Sequence, residues 1–148
     1  MAANGVGAFY GFPYCHANGI PDPDIKKPNP CAGVTLPAAT LGPHAAALGM
    51  RFYTGNMFPA AYKNTAFIAR RGSWNRTKKF GYDVVRAKAS GGKATITPFL
   101  TGFLDPQTDA FWGRPVDVLQ MPDGALLVTD EQNGAIYRIS HAGKVASQ

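Results

Sequence analysis

Between Leu48 and Ile139 the chain is cut into runs too short for ordinary helices, and the cutting pattern occurs twice. Leu48-Gly-Met-Arg-Phe-Tyr53 ends at Thr54-Gly55, and Thr65-Ala-Phe-Ile-Ala69 follows. Tyr82-Asp-Val-Val-Arg86 lies between Gly81 and Gly91-Gly92, and Ala94-Thr-Ile-Thr-Pro-Phe-Leu100 comes fourth. The pattern then restarts: Val116-Asp-Val-Leu-Gln-Met121, the turn Pro122-Asp123-Gly124, Ala125-Leu-Leu-Val-Thr129, the turn Gln132-Asn133-Gly134, and Ala135-Ile-Tyr-Arg-Ile139. Short apolar runs bounded by Gly, Pro and Asn-Gly read as strands joined by turns. Asn-Gly accepts positive φ at low cost and so closes a hairpin. Pro98 lacks an N–H and places the fourth run at a sheet edge.

The expected fold class is therefore all-β, built from successive antiparallel meanders of four strands and then three. Repeated meanders of this kind are the signature of β-propeller blades; the competing arrangement is a small sandwich. Residues 1–42 carry Pro13, Pro21, Pro23, Pro28, Pro30 and Pro37 and read as a loop region, since proline breaks helices and central strands. Residues 43–102 read as one blade and residues 113–140 as an incomplete last blade, within a single fragment spanning 1–148. One complete and one incomplete blade leave sheet faces uncovered, because each blade packs on its neighbours.

Hydrophobic residues make up 45% of the chain and charged residues 16%, a globular balance. The net charge of +6 is concentrated. Lys63, Arg70, Arg71, Arg76, Lys78, Lys79, Arg86, Lys88 and Lys93 face a single acid, Asp83, in that segment. Such a cluster either meets an anionic partner or forms a solvated face. No nucleic-acid motif accompanies it, and no nucleic-acid partner is expected. No run approaches the roughly 18 apolar residues of a membrane span. Met1–Gly7 lacks the pattern of a secretory signal, and the N-terminus is expected to begin in the middle of a domain. The spacing of Cys15 and Cys31 fits a disulfide across the Pro-rich loop, which would imply an oxidising compartment; two free thiols are the alternative. Two cysteines alone do not make a zinc site.

Tyr10-Gly11-Phe12-Pro13 is followed by Leu41-Gly42-Pro43-His44, which leads to Phe52-Tyr53-Thr54-Gly55. Phe67-Ile68 then leads to Gly72-Ser73-Trp74-Asn75-Arg76. Last come Gly113-Arg114-Pro115-Val116-Asp117-Val118, Pro122-Asp123-Gly124 and Leu126-Leu127-Val128-Thr129-Asp130. In this order the pieces resemble the last third of the pyrroloquinoline-quinone-dependent sorbosone/glucose (aldose sugar) dehydrogenases. The resemblance implies about two C-terminal blades of a six-bladed propeller that binds pyrroloquinoline quinone near its axis, with calcium. It implies oxidation of an aldose or sugar aldehyde, hydride passing to the quinone and electrons then to an external acceptor. It also implies a periplasmic or secreted location. The family's base histidine and calcium ligands precede the matched region. No catalytic residue and no metal ligand is therefore assigned to this chain; the calcium ligands and the remaining blades are expected outside it, and the chain alone is expected to be inactive. His16 and His141 do not match the base, and Asp22 and Asp24 lack the spacing of a calcium loop.

The quinone carries three carboxylates, and arginine pairs with carboxylate through a planar fork. Arg114 opens the innermost strand of the second blade and matches a cofactor-contacting arginine of the glucose branch; a second such arginine falls on Val116 here. Asp130 matches an aspartate of the quinone site, or else caps the turn Glu131-Gln132-Asn133-Gly134. Arg70 and Arg71 stand near a cofactor-binding lysine of the glucose branch, and sorbosone-type sequences carry His where Arg71 stands; surface charges are the alternative for both. His44 precedes an innermost strand and either faces the active-site mouth or bonds to backbone. Trp74 is expected to pack within its loop rather than serve a substrate. Two further classes compete with the dehydrogenase: a non-catalytic basic binding module, marked by salt-sensitive polyanion binding, and a calcium-dependent lactonase-like propeller, which needs axial carboxylate ligands and has only Asp130 to offer.

Overall fold

The computed structural model describes residues 7–142. Of the segment Met1–Gly7, only Gly7 falls within them. The chain divides into two compact units: Met1–Thr40 with Ala89–Thr95, and Leu41–Lys88 with Ile96–Gln148.

The first unit is largely irregular, as its prolines require. Among its described residues β1 (Cys15–His16) pairs with β2 (Ile20–Pro21) as a short hairpin within the expected loop region. Cys15 is buried and bonded to Cys31, so the disulfide alternative is the one the structure adopts. Asp22 ties the loop further: it accepts from the Asp24 and Ile25 N–H groups and pairs with His16 at 2.7 Å. With so little regular structure, the cross-link is a principal restraint on this unit. Closing a loop of this length is worth about 3 kcal/mol. A Cys15→Ala/Cys31→Ala variant is expected to lose about that much protection in amide hydrogen exchange across residues 8–40. Protection in the second unit should be unchanged.

The second unit carries the two meanders. The first is β3 (Ala47–Phe52), β4 (Ala66–Arg70), β5 (Asp83–Ser90) and β6 (Lys93–Leu100), paired in chain order, with a 3₁₀ turn at Ala60–Tyr62. The tip of the β5–β6 hairpin groups with the first unit. β6 is an edge strand, where Pro98 is harmless. β5 runs four residues past the expected Arg86, up to the Gly91-Gly92 turn. The second meander is β7 (Pro115–Gln120), β8 (Leu126–Asp130) and β9 (Ala135–Ile139).

Alternation along β4 sends Phe67 and Ala69 one way and Ala66 and Ile68 the other, and all four are buried. Phe67 and Ala69 join Tyr53, Phe58, Val84, Val118, Leu126 and Val128 in one core shared by the two meanders. Ala66 and Ile68 join Val85 and Ala87 beneath Leu41 and Ile96. Hydrogen bonds also key the meanders together. The buried Tyr53 hydroxyl donates to the Gly124 carbonyl at 2.9 Å and accepts from the Met57 and Phe58 N–H groups at 3.0 Å each. Gln120 Oε1 accepts from the Thr54 and Gly55 N–H groups. At their first strands the meanders come so close that a Cβ on Gly49 would clash with Asp117. Leu48, Met50 and Phe52 on β3, with Leu119 and Ile136 on the second meander, stay exposed.

Candidate functional site

β4 and β8 end at corresponding places, Arg70 and Asp130, and the segments that follow them converge. Arg70 pairs across the sheet with Asp83, the first residue of β5. Its Nε and Nη2 donate to the two Asp83 carboxylate oxygens at 2.8 and 2.6 Å, and Nη1 donates to the Leu41 carbonyl at 3.0 Å. Phe80 lies against the guanidinium, 4.7 Å from its centre. Both members of this pair are mostly buried. Arg71 leaves the strand differently and forms an ion pair with Glu131, just beyond β8.

The next residue, Gly72, has φ +103°, and a Cβ there would lie 2.5 Å from the Tyr82 ring. Only glycine lets that ring lie on the backbone. Tyr82 is buried, and its hydroxyl donates to the Ser73 carbonyl. With Phe111, 4.8 Å away centre to centre, it forms an aromatic shelf. Arg114 rests on the shelf, its guanidinium carbon 5.3 Å from the Tyr82 centroid and 4.7 Å from that of Phe111. The Arg114 backbone is held on both sides, its N–H donating to Asp130 at 2.7 Å and its carbonyl accepting from the Glu131 N–H at 3.1 Å. Among the described residues no carboxylate pairs with the Arg114 side chain. The site thus holds an oriented, half-buried cation whose charge the described protein leaves unanswered.

Asp130 is 2% exposed. Its Oδ1 accepts from the Arg114 N–H at 2.7 Å and the Gln132 N–H at 2.9 Å; its Oδ2 accepts from Asn133 Nδ2 at 2.6 Å and the Tyr137 hydroxyl at 3.0 Å. A carboxylate has about four acceptor positions, and here they are filled. Burial pushes the Asp130 pKa up, but the bonds from Arg114, Asn133, Tyr137 and Gln132 outweigh it and leave the pKa lowered. The same contact raises the Tyr137 pKa, because the phenol proton is held by Asp130. Asp130 caps the turn that follows β8 and also clamps Arg114.

His44 sits in an exposed turn with φ 58°, ahead of β3, and makes no side-chain hydrogen bond among those described. Trp74 departs from expectation: it is 79% exposed rather than packed within its loop. Ser73 takes the buried position beside it, its backbone N–H donating to the Phe80 carbonyl and its Oγ accepting from the Phe80 N–H. Several residues of the basic segment make contacts within the chain. Lys63 bonds Asn56, Arg76 bonds the Lys78 and Pro43 carbonyls, Lys78 bonds the Pro106 carbonyl, and Arg86 lies over Tyr62. Among the described residues no group of three or more His, Cys, Asp or Glu could hold a metal ion. Tyr82 and Phe111, which shape the site, were not singled out from sequence. Tyr82 reads there as an ordinary strand residue, and its φ of +62° has no local signal in a tyrosine.

A family model described as TrAA12-like matches residues 25–142. An uncharacterized protein of Borreliella burgdorferi is 37% identical over 134 residues, which is 88% of this chain and 35% of that protein. Among solved structures, the holo PQQ domain of pyranose dehydrogenase from Coprinopsis cinerea superposes with a TM-score of 0.64 at 25% identity, over 90% of this chain and 40% of that one. The calcium structure of the Trichoderma reesei carbohydrate-active enzyme of family AA12 gives 0.69 at 21% identity, over 92% and 39%. The apo soluble aldose sugar dehydrogenase of Escherichia coli gives 0.59 at 23%, over 90% and 35%. The last two show likeness of fold. The chain spans about a third of the curated relative's length and 35 to 40% of these three solved chains. Its family rests on the model match, which takes in both meanders and every residue from Arg70 to Asp130 that builds the site: the chain belongs to the TrAA12-like family.

Proposed function

We propose that this chain supplies the arginine side of a quinone pocket in a sugar oxidoreductase, as about two C-terminal blades of a six-bladed propeller. The substrate is an aldose or sugar aldehyde of the sorbosone or glucose kind. The observation that carries this is Arg114: a guanidinium seated on Tyr82 and Phe111, held through its backbone, and unpaired with any described carboxylate. Such a group fits a carboxylate-bearing cofactor and has no evident structural task. Pyrroloquinoline quinone, when bound, supplies the two-electron oxidation.

The chain's own residues bind and orient. Arg114 holds a cofactor carboxylate, and Arg71, tethered by Glu131, stands as a second cation. Asp130 contributes by fixing Arg114 rather than by touching the ligand, and Arg70 by joining β4 to β5. His44, exposed ahead of β3, is the candidate for the active-site mouth. The base and the calcium ligands lie in sequence outside this chain. The Cys15–Cys31 disulfide supports a periplasmic or secreted location, where such bonds persist. Two alternatives stand beside this reading. A lactonase would need Asp130 as a metal ligand, but its oxygens are taken. A polyanion-binding module would draw on the basic segment, and salt-sensitive heparin binding without quinone affinity would favour it instead.

An Arg114→Ala chain is expected to bind the quinone roughly ten- to a hundredfold more weakly than the parent, the worth of a charge-assisted hydrogen bond. Isothermal titration of the quinone measures this, with circular dichroism confirming an intact fold. Equal affinity for parent and variant would remove Arg114 from the pocket. The isolated chain with quinone, calcium and sugar is expected not to reduce an artificial acceptor.

A further inference from the structure

We propose that Trp74 is a stacking platform for the pyranose ring of the substrate. The proposal rests on the sugar-oxidoreductase function above and adds a substrate-binding residue to it. Trp74 is 79% exposed, yet the loop that carries it is not slack. At its neck Ser73 is buried and bonded twice to Phe80, and the Ser73 carbonyl accepts from the Tyr82 hydroxyl. Farther along, Arg76 bonds the Pro43 carbonyl, and Lys78 bonds the Pro106 carbonyl at 2.6 Å. The anchored loop thus keeps the Trp74 indole in water, where it gains nothing for the fold, since it buries little apolar area. A large, flat, amphipathic ring presented from an anchored backbone is suited to ligand contact.

Its position assigns the ligand. The Tyr82 hydroxyl, which bonds the carbonyl of the residue before Trp74, is also 3.5 Å from Arg114 Nη2. The backbone that carries the platform therefore adjoins the cation proposed to take the cofactor. A flat apolar ring beside polar and charged groups matches a pyranose, which has C–H faces and a hydroxyl rim. An acyclic polyol has the same hydroxyls but no rigid face to lay on the indole.

The chain contains two tryptophans, Trp74 and Trp112, so a Trp112→Phe variant isolates the Trp74 emission. Titration of that variant with D-glucose and cellobiose is expected to shift its emission saturably, and equimolar sorbitol is expected not to. In ligand-observed saturation-transfer NMR on the full chain, Trp74→Ala is expected to weaken cellobiose binding about tenfold or more, while Trp74→Phe retains part of it. Trp74 is exposed, so neither variant should alter the circular dichroism spectrum. An equal response to sorbitol, no saturable response, or unchanged cellobiose binding by Trp74→Ala would overturn the proposal. Quinone titration of the same variants separates the two failures. Quinone binding without pyranose binding removes the platform and leaves the oxidoreductase. Pyranose binding lost in Trp74→Ala, with no quinone binding by the parent, keeps the platform and removes the quinone pocket.

Discussion

Replacing Asp130 by alanine is expected to lower the free energy of unfolding by about 3 kcal/mol. The estimate follows from what each donor can do once the carboxylate is gone. The Arg114 N–H, on the residue before β7, is held in place by the bond from the Glu131 N–H to the Arg114 carbonyl and loses its acceptor outright. The Tyr137 hydroxyl is half-buried and regains water only in part. Gln132 and Asn133 are exposed and can turn to solvent at little cost. Asp130→Asn keeps an acceptor for the two backbone N–H groups but offers an amide N–H₂ to donors, and should cost about 1–2 kcal/mol. The pH dependence separates charge from shape. The folded-state pKa of Asp130 lies below its unfolded value, so its stabilisation is fully present above about pH 4 and is lost as pH falls through the folded-state pKa. Tyr137, with its pKa raised, contributes stability that is present below about pH 10 and is lost as pH rises through the folded value. Urea unfolding of the parent and Asp130→Asn across this range measures both flanks. The variant should lack the acid-side loss that Asp130 causes. Parallel curves for the two proteins would refute the assignment.

The fold was legible where local chemistry decides it, and the site was legible only in part. Asn133-Gly134 closes the β8–β9 hairpin, and Pro98 lies on the edge strand, because positive φ and a missing N–H are properties of single residues. The start of β5 was less clear. Tyr82 belongs by composition to the strand but is held outside it with positive φ by the Gly72 backbone and the Ser73 carbonyl. Arg70 and Arg71 could not be told apart in sequence, since neighbours at a strand end point opposite ways and the pattern there does not say which faces in. Their partners, Asp83 and Glu131, are 13 and 60 positions away and are named only by the pairing of strands. Trp74 misled for a related reason. Its apolar character suggested packing, but the buried place in that loop is taken by Ser73, whose value lies in hydrogen bonds that composition does not show.

Arg70 and Arg114 should fail in opposite ways, and this contrast tests the division of the arginines most sharply. Arg70→Met is expected to destabilise the chain by about 3–5 kcal/mol, because it leaves the Asp83 carboxylate buried without a counter-charge. It also leaves the Leu41 carbonyl without its donor and removes the contact on Phe80. If the cost is uncompensated charge, removing the second partner should recover much of it. Arg70→Met/Asp83→Leu is therefore expected to unfold within about 2 kcal/mol of the parent, since a buried ion pair and an apolar pair of similar volume are often near equal. Arg114→Ala, with no carboxylate to orphan, should stay within about 1 kcal/mol while losing quinone affinity. Urea unfolding of the three variants beside the parent, with quinone titration of each folded one, reads both properties. Arg70→Met that folds as well as the parent but no longer binds quinone would make Arg70 the cofactor contact. The Asp83 pair would then hold the arginine in place for the ligand rather than hold the sheet together.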